Sequence, residues 1–226
     1  MDETLVSLVW MVAALFLEEP PLRLADEMVA GDLELPVPPN GDGHLAAGIE
    51  ALREFARTCL GQDARQVHSA LCQEFTALFV GPRPRTVHPY ESVYRDSLAV
   101  GGQTFQRLLM GESVDRVRAF WSEAGLQPQN PRNYPPDHIG FELGFLAYIG
   151  REFQETGDQR CLHLARRFLE EHVLPWVPTF CAELYALETA CFYRSVAQLT
   201  DGLLAILAGQ LGLADRPQGD PSSADM

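Results

Sequence analysis

Lysine is absent from this chain: all 17 basic residues are arginine, against 31 acidic ones, for a net charge of −14. Nothing functional follows from missing lysine by itself. The shortage of positive charge does exclude one class, because proteins that bind bare DNA or RNA must neutralise phosphates. Paired cysteines are also lacking. Cys59, Cys72, Cys161, Cys181 and Cys191 form no Cys-x-x-Cys. An odd, scattered set predicts reduced cysteines on helical faces in a cytosolic protein. His68 and Cys72 have a spacing that a metal could use, but no second ligand pair follows, so no metal site is expected.

Long apolar runs are missing too. The stretch Leu5–Leu17 is shorter than the roughly 20 residues a membrane-spanning helix needs. Asp2 and Glu3 precede it and Glu18-Glu19-Pro20 follows, so it lacks the basic start and the cleavage site of a signal peptide. It predicts a buried first helix, with no stable membrane insertion. There is no strand alternation beyond a few residues and no repeat at a fixed period. Nor is there a Gly-x-Ser-x-Gly, a zinc motif or a phosphate loop.

What is present is helical periodicity, punctuated by proline and glycine. Helices are expected over about 3–18, 22–30, 44–60, 64–79, 113–124, 137–154, 158–174, 178–187 and 188–210. Gly31, Gly61 and Gly125 act as stops, and Pro178 as a first-turn residue. One helical turn is expected after residue 90, and 96–112 is ambiguous, with Gly101-Gly102 as a turn. The fold class is all-α, one helical domain of about nine helices over 1–212. Its N-terminal portion is 1–125, a hinge loop covers 126–136, and the C-terminal portion is 137–212. The polar tail 213–226 is expected to be disordered.

One stretch organises the chain: Asn133-Tyr134-Pro135-Pro136-Asp137-His138-Ile139-Gly140-Phe141-Glu142-Leu143. Two prolines end a loop, and an apolar helix follows. Asp137 is expected as its N-cap. An acid and an imidazole at a helix entrance read either as a cap plus a surface histidine or as a site. They are a poor catalytic pair, because adjacent helical residues point about 100° apart, whereas a triad's acid must orient its base. A hydrolase using His138 with Asp137 is therefore disfavoured.

Three blocks carry a family resemblance. They are Glu74-Phe75-Thr76-Ala77-Leu78-Phe79-Val80-Gly81-Pro82, His88-Pro89-Tyr90-Glu91-Ser92-Val93-Tyr94, and Pro135-Pro136-Asp137-His138-Ile139-Gly140-Phe141-Glu142-Leu143. In this order, on a helical chain, they resemble the TorD/DmsD/NarJ family of cytoplasmic chaperones for molybdenum-containing oxidoreductases. The resemblance spans about residues 5–210. It implies an all-helical fold with a hinge, and binding of the twin-arginine signal peptide of a catalytic reductase subunit. Export is then held back until the molybdopterin cofactor is inserted. It implies no resident cofactor, with weak guanine nucleotide binding possible in the family, and a monomer or a domain-swapped dimer.

Residue by residue, the resemblance assigns peptide binding to Pro89, Tyr90 and Glu91, and to Pro135, Asp137 and His138, with Leu78 and Phe79 as support. The chain departs from the family pattern at three positions. Many members have Pro-Pro-Trp where this chain has His88-Pro89-Tyr90, and Pro136 replaces a frequent acid.

The chemistry of such a ligand adds further candidates. An exposed arginine–carboxylate pair contributes about 0.2–1 kcal/mol, and burying a leucine-sized side chain about 1.5–3 kcal/mol. The apolar part of the peptide should therefore supply affinity, and charge should supply register and encounter rate. Glu91, Asp137 and Glu142 are the candidate arginine partners. Tyr90, Tyr94, Tyr134, Phe141 and Phe145 are candidates for the apolar surface, with Phe141 and Phe145 also readable as core. The two proline blocks are expected to face one another across a single groove. A competing reading, a general acidic helical adaptor, explains the charge but not the proline blocks.

Overall fold

The computed structural model describes residues 2–37, 43–80, 87–100, 103–106, 109–126 and 134–213. Most of the expected hinge loop (127–133) and nearly all of the expected tail (214–226) lie outside them, as do Gly101-Gly102 and residues 81–86. Among the described residues there are ten α-helices. The periodicity therefore gave the right architecture, the tenth helix being the single turn expected after residue 90.

In chain order these are α1 (Glu3–Leu17), α2 (Leu22–Ala30), α3 (Gly43–Thr58), α4 (Ala64–Phe75), α5 (Glu91–Arg95), α6 (Glu112–Glu123), α7 (Ile139–Thr156), α8 (Gln159–Phe168), α9 (Val177–Tyr185) and α10 (Cys191–Gln210). Two of them continue into a π-helical turn, α4 at Thr76–Val80 and α8 at Leu169–Val173. The sequence pattern does not separate these turns from the helices they extend. A second difference lies at 96–112, where Ser97–Val100 (β1) pairs antiparallel with Gln103–Gln106 (β2), Leu98 opposite Phe105. Strands of four residues around a Gly-Gly are too short to register as alternation.

α1 behaves as its composition demands. Leu5, Leu8, Val9, Val12 and Phe16 are buried, each contributing about 1.5–3 kcal/mol. Asp2 caps its first turn, accepting from the Leu5 amide at 2.9 Å. No single helix among the described residues is long and apolar enough to cross a membrane. The left-handed backbone at Gly31 and Gly125 (φ 79° and 72°) ends α2 and α6 where glycine was expected to stop them.

α1 packs along α7, and α3 along α10. The second pair approaches backbone to backbone. A Cβ on Gly48 would lie 2.5 Å from Leu199 Cα, and one on Gly202 2.6 Å from Leu45 Cα. Helices before and after the 126–136 segment thus share one core. Its aromatic centre joins Phe16, Phe75, Phe79, Phe180 and Tyr193. The Tyr193 hydroxyl donates to Leu15 O at 2.8 Å, so this buried phenol is satisfied.

The cysteines are all free. Cys59 and Cys181 are buried, Cys72 and Cys161 half-buried, and Cys191, the first residue of α10, exposed. Cys72 Sγ lies 3.4 Å from His68 Nε2. Among the described residues no third potential ligand joins them.

Candidate functional site

Among the described residues the two proline-containing blocks meet directly, backbone to backbone. Tyr90 and His138 form an antiparallel β-bridge. Glu91 N donates to Asp137 O at 2.9 Å, and Ile139 N donates to Pro89 O at 3.0 Å. The single-groove expectation is corrected here: the extended backbones before α5 and α7 are zipped edge to edge. The physical reason is that both segments precede helices and carry donors without partners within their own helix.

Asp137 completes that junction. Its Oδ2 accepts from Ser92 N at 2.9 Å, across 45 residues of sequence. The first two amides of α5, at Glu91 and Ser92, are therefore both satisfied by Asp137. This corrects the expectation that Asp137 caps its own helix. His138 caps α7 instead, with Gly140 N donating to its Nδ1 at 3.1 Å. A neutral imidazole with Nδ1 as acceptor is thereby specified.

His138 is enclosed by aromatic rings. Tyr134 stacks on it at 5.2 Å, Tyr90 meets it edge-on at 5.0 Å, and Phe141 at 6.2 Å. Burial pushes its pKa down to about 3, because a charged ring here would lose its hydration. Asp137 and His138 thus point to different partners, and neither is poised to move a proton to the other.

Behind the bridge sit three fully buried carboxylates, Glu91, Asp137 and Glu142. Glu91 is held by Arg95, an ion pair one helical turn away, and by His172 Nδ1 at 3.0 Å. Glu142 Oε2 accepts from Trp176 Nε1 at 3.0 Å. Asp137 Oδ1 has no hydrogen-bond partner among the described residues, and the Glu142 carboxyl lies against that of Glu91. Burial raises the Asp137 pKa. It raises that of Glu142 well above the ordinary range, with the charges of Glu91 and Asp137 adding to the effect.

These carboxylates were candidate partners for a peptide's arginines. In this conformation none is open to solvent. The reason is that each is drawn inward by groups from other segments: the Ser92 amide, the Trp176 indole, and the Arg95 and His172 side chains.

The remaining candidates surround this cluster. Pro89 is buried, and Pro135 is partly exposed, accepting from His138 N at 3.2 Å. Half-buried Tyr94 stacks on Trp176 at 5.3 Å, and its hydroxyl donates to Glu183 at 2.8 Å. Leu78 and Phe79 are buried in the π-turn, and Phe79 reaches the cluster's far side through Phe180 and then Trp176. Phe141 is half-buried against Trp121. Phe145 is core, packed on Phe120 and Phe168.

Sequence reasoning missed Arg95, His172 and Trp176. Arg95 was detectable, since it lies four residues after Glu91 on one helical face. The other two lie 81 and 34 residues from their partners and give no local signal. It also missed two carboxylates that cap other helices. Glu74 accepts from Phe192 N and Tyr193 N (3.2 and 2.9 Å) at the start of α10. Asp96 accepts from Ser113 N at 2.8 Å at the start of α6.

Beside the cluster, a cleft of about 470 Å³ is lined by Arg95, Arg116, Phe120, Glu123, Arg167 and His172, among others. Each of its three arginines is already ion-paired: Arg95 to Glu91, Arg116 to Asp96, Arg167 to Glu123. On a different face, Trp10 (43% exposed) lies over Gly144, with Tyr148 (37% exposed) one turn further along α7.

Comparison with known proteins agrees with the three blocks. The chain is 30% identical over 130 residues to a probable Tat proofreading chaperone DmsD of Haemophilus influenzae, covering 58% of this chain and 56% of that protein. It is 28% identical over 155 residues to the chaperone protein TorD of Vibrio cholerae, covering 67% and 64%. It is 30% identical over 142 residues to the Tat proofreading chaperone DmsD of Salmonella typhi, covering 63% and 62%. The matches thus span less than two thirds of each relative's own length. The family profile described as nitrate reductase delta subunit matches residues 42–182, which include the first two motif blocks in full and the third as well. Since that match covers more than half of the chain, the protein belongs to the nitrate reductase delta subunit family, with TorD and DmsD chaperones among its relatives.

Proposed function

We propose that this protein is a chaperone for a molybdenum-cofactor oxidoreductase. In this reading it binds the twin-arginine signal peptide of the catalytic subunit in the cytoplasm and assists its maturation before export. The observation that carries the reading is the junction of the two motif blocks. Pro89, Tyr90, Glu91, Asp137 and His138, which the family resemblance ties to peptide binding, converge on one bridge with buried carboxylates behind it. Names of the relatives add support, since they are chaperones and two are described as Tat proofreading chaperones. A general acidic adaptor would need no such junction.

Calorimetry tests the proposal. The ligand is the signal peptide of a molybdenum-containing reductase subunit encoded beside this gene, measured against the same peptide with both arginines changed to glutamine. Saturable binding that weakens on the change is the expected result. Absence of binding to either peptide overturns the reading, while equal binding removes its arginine component.

A further inference from the structure

We propose that Arg95 is an exchangeable plug: an arginine side chain of the bound peptide enters the cleft, displaces the Arg95 guanidinium and takes its place on Glu91. The inference rests on the peptide-binding reading above and assigns that reading a specific seat. The family resemblance places Glu91 among the recognition residues, yet its carboxylate is sealed from solvent. On its cleft side it is held by a guanidinium, the same chemical group a twin-arginine ligand would bring.

Three observations support exchange. Arg95 lies at the border of buried and open space: its side chain is 30% exposed while that of Glu91 is 0% exposed. It lines the 470 Å³ cleft together with His172, the other group on Glu91. A displaced Arg95 and an incoming arginine therefore have room beside each other. Second, the other bond of Arg95 on the cleft side, to the backbone oxygen of Glu171 at 2.6 Å, is exposed, so water can replace it. Third, Arg95 is the only guanidinium paired with any of the three fully buried acids, Glu91, Asp137 and Glu142, among the described residues. Glu91 has one oxygen on His172 and turns the other to Arg95, and a guanidinium suits that oxygen because it donates a charge-assisted hydrogen bond.

The test compares the wild type with Arg95→Ala, using the full chain and two synthetic peptides. One carries an adjacent arginine pair followed by a leucine- and alanine-rich stretch. The other has glutamine in place of both arginines. Removing the internal competitor is expected to tighten the arginine peptide by about tenfold and to leave the glutamine peptide unchanged. An unchanged affinity ratio in Arg95→Ala overturns the plug while leaving the chaperone reading intact. Loss of all peptide binding by the wild type strikes the chaperone reading instead.

The seat can also be read without any peptide, which matters because Arg95→Ala leaves a buried carboxylate uncompensated and lowers stability. Methylguanidinium at millimolar concentration is expected to raise the Tm of Arg95→Ala and to leave that of the wild type unmoved. Equal shifts in both proteins overturn the proposal.

Discussion

Replacing His138 with asparagine is expected to remove a large part of the protein's acid sensitivity. His138 is buried among Tyr90, Tyr134 and Phe141, and its pKa is pushed down to about 3. The unfolded imidazole takes up a proton below about 6.5. Between those two values the unfolded state binds more protons than the folded one, so stability falls as pH falls. The penalty begins near pH 6.5 and saturates near 3. At pH 5 the difference amounts to about 2 kcal/mol, at 1.36 kcal/mol for each pH unit below 6.5. Asparagine is a suitable replacement because its side-chain oxygen can accept from Gly140 N, as Nδ1 does now, and asparagine is a favourable N-cap.

The assay is urea unfolding of both proteins at pH 7.5 and pH 5.0. Asp137 and Glu142 bias stability in the opposite direction, because their raised pKa values make the folded state bind protons more readily as pH falls. That contribution is common to both proteins and cancels in the difference between them. The wild type is expected to lose about 2 kcal/mol more than His138→Asn on going to pH 5.0. Parallel pH profiles would refute the argument, since they would mean that the folded imidazole charges as readily as the unfolded one.

Other substitutions test the packing around this site. Asp137→Ala removes the acceptor of Ser92 N in a buried place and is expected to cost about 1–3 kcal/mol in denaturant unfolding, whereas Asp137→Asn retains an acceptor and costs less. Gly140→Ala places a Cβ 2.6 Å from Leu17 Cδ1 and 2.8 Å from Ala13 O, and the α1–α7 contact is expected to lose about 1–3 kcal/mol by the same measurement. In Glu142→Gln the stability of the protein is expected to decline less as pH rises above the ordinary carboxylate range, because the wild-type carboxyl is most stable protonated; unfolding free energies at several pH values decide this. Trp176→Phe deprives Glu142 Oε2 of its donor and is expected to destabilise by about 1–3 kcal/mol.

The helices were legible because their cores are local patterns. Leu5, Leu8, Val9, Val12 and Phe16 announce the buried face of α1, and Gly31 and Gly125 announce helix ends. The meeting of the two motif blocks was legible only from the family resemblance and the paired prolines. What the blocks do to each other was not. Asp137 and His138 are both competent N-caps, and the choice between them depends on Ser92, whose amide lies across the bridge. Glu91 and Glu142 look like surface charges, because charged residues are rarely buried unless paired. Their partners His172 and Trp176 arrive from the end of α8 and the turn before α9. The β1–β2 hairpin failed to register for a different reason, being too short to show a period.

The two routes to the buried carboxylates differ in cost, and that difference assigns their roles. Opening the bridge breaks the Glu91–Asp137 and Pro89–Ile139 backbone hydrogen bonds and the one from Ser92 N to Asp137. At about 0.5–1.5 kcal/mol net for each, this costs about 2–4 kcal/mol before any aromatic contact of His138 is lost. Entering through the cleft breaks the Arg95–Glu91 ion pair, which the incoming arginine forms anew, and the Arg95 hydrogen bond to Glu171 O, which water replaces. That exchange is close to neutral, and Arg95 is released to water. In the proposed exchange a peptide arginine therefore reaches Glu91 with the bridge still closed. On that route Asp137 stays engaged with Ser92 N and Glu142 with the Trp176 indole. A neutral exchange gives selectivity for arginine but little affinity. Binding strength must then come from the peptide's apolar stretch, where burying two leucine-sized side chains contributes about 3–6 kcal/mol.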